Sequence, residues 1–161
     1  MHNEFYPFMV EALKEARKGM EIGEVPVGAV LVGPEGDIIA KAHNQPIFLN
    51  DPTAHAEILA LRMGGNICLN YRLPDFTLVV TVEPCPMCMG AALNARISRV
   101  VFGASDPKWG AACSLYNLAD DKRLNHRIEI VKGFMQAECA MLLKDFFSKR
   151  RGYIRRTPKT P

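Results

Sequence analysis

Two short stretches hold side chains whose types and spacing fit chemistry. TAHAEILAL carries His55 and Glu57, and VTVEPCPMCMGAAL carries Cys85 and Cys88. A C-x-x-C pair by itself fits a redox couple, half of a structural metal site, or part of a catalytic one. A structural four-cysteine site needs a second close pair, and Cys68, Cys113 and Cys139 are too scattered to supply it. A redox pair needs no further ligand. The arrangement around the pair favours the third chemistry. His55 opens one predicted helix, Cys85 opens the next, and Cys88 lies three residues on, along the same helical face. With both helix starts on one edge of a sheet, His55, Cys85 and Cys88 converge as three zinc ligands. Three protein ligands leave a fourth position for a water, whose pKa the metal lowers to roughly 7.

Glu57 stands two residues beyond His55. Positions i and i+2 do not share a helical face, so Glu57 is expected to face the water rather than the metal. A carboxylate there takes the water's proton and passes it to a leaving nitrogen. Taken singly, each residue has a plainer reading. A buried histidine is usually satisfied within a core, and a first-turn glutamate usually offsets the helix dipole. H-A-E at one helix start with P-C-x-x-C at the next is far more specific than either.

The elements that must position these groups follow from periodicity. FYPFMVEALKEARKGM repeats Phe5, Phe8, Met9, Ala12, Leu13 and Ala16 at helical spacing, with Gly19 or Gly23 as its stop. VPVGAVLVG and DIIAKAHN read as an antiparallel hairpin across the PEG turn. A helix capped by Asp51 or Thr53 and closed by Gly64 and Gly65 precedes the strand FTLVVTV. The helix PMCMGAALNAR precedes the strand ISRVVFGA. Residues 105–126 read as a long loop with a short helix, HRIEIVKG as an edge strand, and AECAMLLKDFFSKRR as a closing amphipathic helix. Alternating strands and helices imply parallel pairing in the middle of the chain. The expected fold class is α/β, a three-layer α/β/α sandwich around a mixed sheet of about five strands.

Length and composition bound the rest. The chain has 161 residues, 48% of them hydrophobic, which suits one domain with a real core. The domain is expected over residues 1–151, followed by a flexible basic tail over 152–161. Five cysteines, an odd number, argue against a disulfide scaffold. The amino terminus lacks the pattern of a signal peptide and no apolar run is long enough to span a bilayer, so a cytoplasmic protein without membrane contact is expected. The net charge of +3 says little. The segment SKRRGYIRRTPKTP carries six cations and no acid, which fits either a solvated terminus or a phosphate-contacting patch.

H-x-E with P-C-x-x-C is the signature of zinc-dependent nucleobase deaminases. From Val25 to Arg151 the sequence resembles a narrower family, the bacterial tRNA adenosine deaminases of the cytidine and deoxycytidylate deaminase superfamily. The likeness rests on EVPVGAVLV, HNQPI, DPTAHAEILALR, NYRL, TVEPCPMC, RVVFGA, GAACSL, NHRIEI and ECAMLLKDFF. It implies a cytidine deaminase-like fold and hydrolysis of adenosine to inosine at the wobble position of tRNA anticodons. It further implies one zinc per subunit on His55, Cys85 and Cys88, with Glu57 as the proton shuttle. Asn44 matches a base-contacting asparagine, although a turn residue before Pro46 is an equal reading. The resemblance puts Asp106 and Lys108 against the nucleotides flanking the target, joined by Phe147, Arg150 and Arg151 from the last helix. It implies a homodimer whose two subunits both meet the anticodon stem-loop.

The loop SDPKWGAACSL departs from the family, with Trp109 and Cys113 where smaller residues are common. Trp109 suits stacking on a base, or cover for the core or a dimer seam; Cys113 reads as a small buried residue. Two rivals stand beside the implied function. One is a zinc deaminase of a free base or nucleotide such as guanine, cytosine or dCMP. The other is a non-catalytic, zinc-stabilised RNA-binding module, which requires a fourth protein ligand.

Overall fold

A computed structural model describes residues 3–154. Five strands form one mixed sheet in the order β2-β1-β3-β4-β5. These are β1 (Gly28–Val32), β2 (Ile38–His43), β3 (Thr77–Val82), β4 (Arg99–Ala104) and β5 (Glu129–Lys132). Strand β1 is antiparallel to both neighbours, β2 and β3, while β3, β4 and β5 run parallel. Strands β2 and β3 therefore point the same way on either side of β1, and their carboxyl ends share one edge.

The central strands read as continuous apolar runs because both sheet faces are covered. Ala29, Leu31, Leu78, Val80, Val100 and Phe102 face one core, with α3 (Ala56–Cys68) and α4 (Pro86–Asn94). Val30, Val32, Val79 and Val101 alternate onto the other, with α1 (Tyr6–Glu21) and α5 (Gln136–Ile154). The result is the expected three-layer α/β/α architecture, joined by a short 3-10 helix at Asn3–Phe5 and a one-turn helix α2 (Pro46–Leu49).

Several local expectations need correction. Of the two expected stops for α1, the helix passes through Gly19 and ends just before Gly23, as the second alternative has it, where a φ of 84° suits only glycine without strain. Gly64 and Gly65 do not close α3, which continues to Cys68 and stops where Leu69 turns left-handed with φ 51°. Gly64 serves packing instead, because a Cβ there would collide with Leu31 Cδ2 on β1. Asp51 and Thr53 do not cap α3. Asp51 Oδ1 accepts the Thr53 amide and hydroxyl at 2.8 and 2.7 Å, a local turn that brings the chain back to His55.

The loop after β4 contains turns and no helix. Helix α5 runs three residues beyond the expected domain end at 151. Of the basic tail, residues 155–161 lie outside the described residues. None of the described helices is long and apolar enough to cross a membrane.

Candidate active site

His55 and Cys85 are the N-cap residues of α3 and α4, both with extended backbone, and neither side chain caps its own helix. Free of that duty, the side chains meet at the shared sheet edge. His55 Nδ1 lies 3.6 Å from Cys85 Sγ and 3.5 Å from Cys88 Sγ, and the two sulfurs are 3.6 Å apart. A tetrahedral zinc with bonds of about 2.3 Å to sulfur and about 2.0–2.1 Å to nitrogen would separate two sulfurs by about 3.8 Å and sulfur from nitrogen by about 3.6 Å. The triangle of donors therefore fits zinc closely. Among the described residues this group has three donors.

The protonation pattern fits the same cation. The Cys85 thiol is lowered to about 4, chiefly by the hydrogen bond from Cys88, against burial and with help from His55. Donating that bond, together with burial and the nearby Glu57 charge, raises the Cys88 thiol. One sulfur is thus stabilised as thiolate while the other is held as thiol, and ionising both requires a positive charge between them. His55 is raised by its hydrogen bond to Cys85, partly offset by burial and aided by Glu57.

Glu57 is 3% exposed, and its Oε2 is buried without a hydrogen-bond partner. Burial pushes its pKa up to about 7, with its own backbone amide and His55 pulling the other way. An orphaned buried carboxylate oxygen is costly unless a ligand completes it. Glu57 lines a cleft of about 400 Å³ together with His55, Cys85, Asn44, Asp106, Trp109 and Phe147. Val25, Val27, Val82 and Leu143 supply apolar wall. Apolar walls with a few converging polar groups are the usual make-up of a small-ligand site.

Asn44 ends the hairpin and is buried, and its Oδ1 accepts the Ala56 amide at 2.8 Å. It thereby satisfies one of the orphan donors of α3, and its Nδ2 is left to donate at the cleft. Asp106 enters the wall from the loop after β4 and accepts the amides of Lys108 and Trp109, each at 3.0 Å. Phe147 lines the cleft from α5. Lys108, Arg150 and Arg151 do not line it. Lys108 is exposed beside Asp106, Arg150 stacks over Phe146 at 5.7 Å, and Arg151 is exposed on the same helix. Cys113, expected to be buried, is exposed, so it is no core residue.

Sequence reasoning missed Glu83. It is buried one residue past β3, where Oε1 accepts the amides of Cys113 and Ser114 at 2.8 Å each. Its Oε2 accepts the Asp106 amide at 3.1 Å and the Ser114 hydroxyl. Gly110 packs against this carboxylate so closely that a Cβ would overlap it. Burial alone would raise the pKa of Glu83, but these donors outweigh it and hold the group below the usual carboxylate range. One side chain thus fixes the loop that carries Asp106 and Trp109. The available signal was a lone acid ending a β-branched run.

Fold and site together define a zinc deaminase. Residues 3–104 match the family described as the cytidine and deoxycytidylate deaminase zinc-binding region. The tRNA-specific adenosine deaminase of Haemophilus influenzae is 51% identical over 140 residues, covering 87% of this chain and 81% of that one. The tRNA-specific adenosine deaminase of Bacillus subtilis is 47% identical over 144 residues, 89% of either chain. A solved structure from a study of A-to-I editing by tRNA:A34 deaminases at the wobble position of transfer RNA superposes with a TM-score of 0.83. It is 43% identical and covers 86% of this chain and 99% of that one. The chain belongs to the tRNA-specific adenosine deaminase family.

Proposed function

We propose that this chain hydrolyses adenosine to inosine at the wobble position of tRNA anticodons, with one zinc per subunit held by His55, Cys85 and Cys88. The observation that carries the reading is the unpartnered Glu57 Oε2, buried in a cleft beside three metal-type donors. When bound, zinc on three protein ligands supplies an acidified water at its fourth position. The chain's own residues do the rest. Glu57 takes a proton from the attacking water and delivers it to the adenine ring nitrogen, and it then carries a second proton, from the hydroxyl added at C6, to the departing amine. Its pKa near neutrality suits a group that must both gain and lose that proton. Asn44, held through Oδ1, presents Nδ2 to the base. The apolar wall excludes water around the extruded adenine, whose place in a single-stranded loop lowers the cost of unstacking.

Asp106, Lys108, Phe147, Arg150 and Arg151 are the proposed RNA contacts. Arg150 and Arg151 follow Phe147 by three and four residues, which puts them on its side of α5. The reading carries a homodimer in the cytoplasm, where tRNA is modified, and a single domain over residues 1–151 with the basic tail after it. A non-catalytic zinc module would need a fourth protein donor near the cluster, and three are present among the described residues.

The test compares inosine formation on an anticodon stem-loop with turnover of free adenosine, guanine, cytosine and dCMP, with and without a chelator. The stem-loop should be the preferred substrate, and chelation should abolish its conversion. Faster conversion of a free base or nucleotide would replace the RNA substrate with that smaller one.

A further inference from the structure

Trp109 is the single tryptophan of the chain, and it is 56% exposed at the cleft that holds His55 and Glu57. An aromatic ring left in solvent forgoes a large share of the stabilisation its burial would bring. Its backbone, by contrast, is tightly held. The Trp109 amide donates to Asp106 Oδ1, the Gly110 amide donates to the Asp106 carbonyl at 2.7 Å, and Asp106 is itself tied to buried Glu83. The indole is therefore a solvent-facing surface on an anchored loop. It neighbours exposed Lys108 and shares the cleft with Phe147, itself 44% exposed on α5.

We propose that Trp109 is a stacking platform for the base of a nucleotide adjacent to the target adenosine. The inference rests on the tRNA reading above and assigns a recognition role to a residue outside the RNA contacts proposed there. Every base offers a π-face, so the contact adds affinity without demanding one sequence. Lys108 next to it supplies a cation for the backbone phosphate of the same strand. Apolar cover for the core is excluded by the exposure of the ring.

The ring reports on itself, because no other tryptophan contributes to the emission. Zinc-loaded full-length protein is titrated with an anticodon stem-loop carrying the product inosine, so that no turnover occurs. Binding should quench Trp109. Stem-loops made abasic on the 5′ or the 3′ side of the wobble position should separate, with one of them losing the quench and binding about 5- to 150-fold more weakly, the range spanned by base–aromatic stacking. Trp109→Ala should weaken the intact stem-loop by a similar factor, lose nothing further on that abasic stem-loop, and be largely rescued by Trp109→Phe.

Three results overturn the stacking role while leaving the function intact, provided the wild-type chain deaminates the adenosine stem-loop. They are a quench that both abasic sites preserve, additive effects of the variant and the abasic site, and an emission already shielded from acrylamide without RNA, which would place the indole under a second copy of the chain. Failure of the wild-type chain to bind or deaminate the intact stem-loop overturns the tRNA reading, and the stacking role with it.

Discussion

Replacing Glu83 by glutamine tests how the cleft wall is held. Glu83 Oε1 accepts two backbone amides, Cys113 and Ser114, while Oε2 accepts the Asp106 amide and the Ser114 hydroxyl. In Glu83→Gln the amide oxygen must keep the first position, since two backbone N–H groups cannot reverse their polarity. The amide nitrogen then occupies the second. The Ser114 hydroxyl can rotate to accept from it, but the Asp106 N–H cannot and is left facing a donor. One unsatisfied donor costs about 1–3 kcal/mol, and the two retained amide bonds lose the extra strength of a charged acceptor. Relief of carboxylate burial offsets part of that loss. The expected net destabilisation is about 1–3 kcal/mol, and Glu83→Ala, with three amides and a hydroxyl unpaired, should exceed it.

The pH dependence separates this account from a simple packing defect. The folded pKa of Glu83 lies below its unfolded value of about 4.3. Its contribution is therefore fully present above the unfolded pKa and is lost as pH falls through the folded one. Urea unfolding of the zinc-loaded wild type and Glu83→Gln, at equal protein concentration from pH 7 to pH 3, should show a gap that is constant above about pH 5 and narrows below it. Because the loosened segment carries Asp106 and Trp109, KM for the stem-loop should rise more than kcat falls, with zinc content unchanged. A gap that persists undiminished at pH 3, or a variant as stable as wild type at pH 7, would refute the reasoning.

Glu57→Ala should keep zinc yet lose at least about 10²-fold in turnover, the scale of general acid–base catalysis, as read by metal analysis beside the inosine assay. His55→Ala and Cys88→Ala should instead lose both zinc and activity. Asn44→Asp preserves the acceptor for the Ala56 amide but removes the Nδ2 donor, so it should impair kcat/KM with little loss of stability. Asn44→Ala should in addition destabilise by about 0.5–2 kcal/mol, the worth of an N-cap, seen in denaturant unfolding. Gly64→Ala forces a methyl onto Leu31 and should cost about 1–3 kcal/mol, measured the same way, while sparing zinc binding.

The strands and helices were legible because their periods are unambiguous and because one face, or both, of each central strand is apolar. Glycines misled. Gly64 marks a close approach of α3 to β1, which only the folded contact reveals, and Leu69 ends the helix instead by adopting a left-handed conformation that propensity does not favour. The metal-type cluster was legible because helix starts and sheet order bring it together, with Glu57, two positions past His55, outside the group of three donors. Glu83 was not legible. Its partners lie 23 to 31 residues away in the chain, in a loop without periodicity. The exposure of Cys113 follows from the same loop, whose path is set by hydrogen bonds to one carboxylate rather than by burial of its own side chains.

The two donor-bearing helix starts expose a constraint on where such a cluster can be built. An N-cap residue ordinarily spends its side chain on the first-turn amides of its own helix, and a side chain so spent cannot face a metal. Neither His55 nor Cys85 makes such a cap bond, and the first position of each helix asks nothing of them. In α3 the Ala56 amide goes to Asn44, twelve residues upstream at the end of β2. In α4 the first helical residue is Pro86, which has no amide to satisfy. Asn44 Oδ1 therefore ties the end of β2 to the start of the helix that carries His55. Strand β1, antiparallel between β2 and β3, completes the arrangement by letting two strands that are not neighbours deliver their helices to one edge.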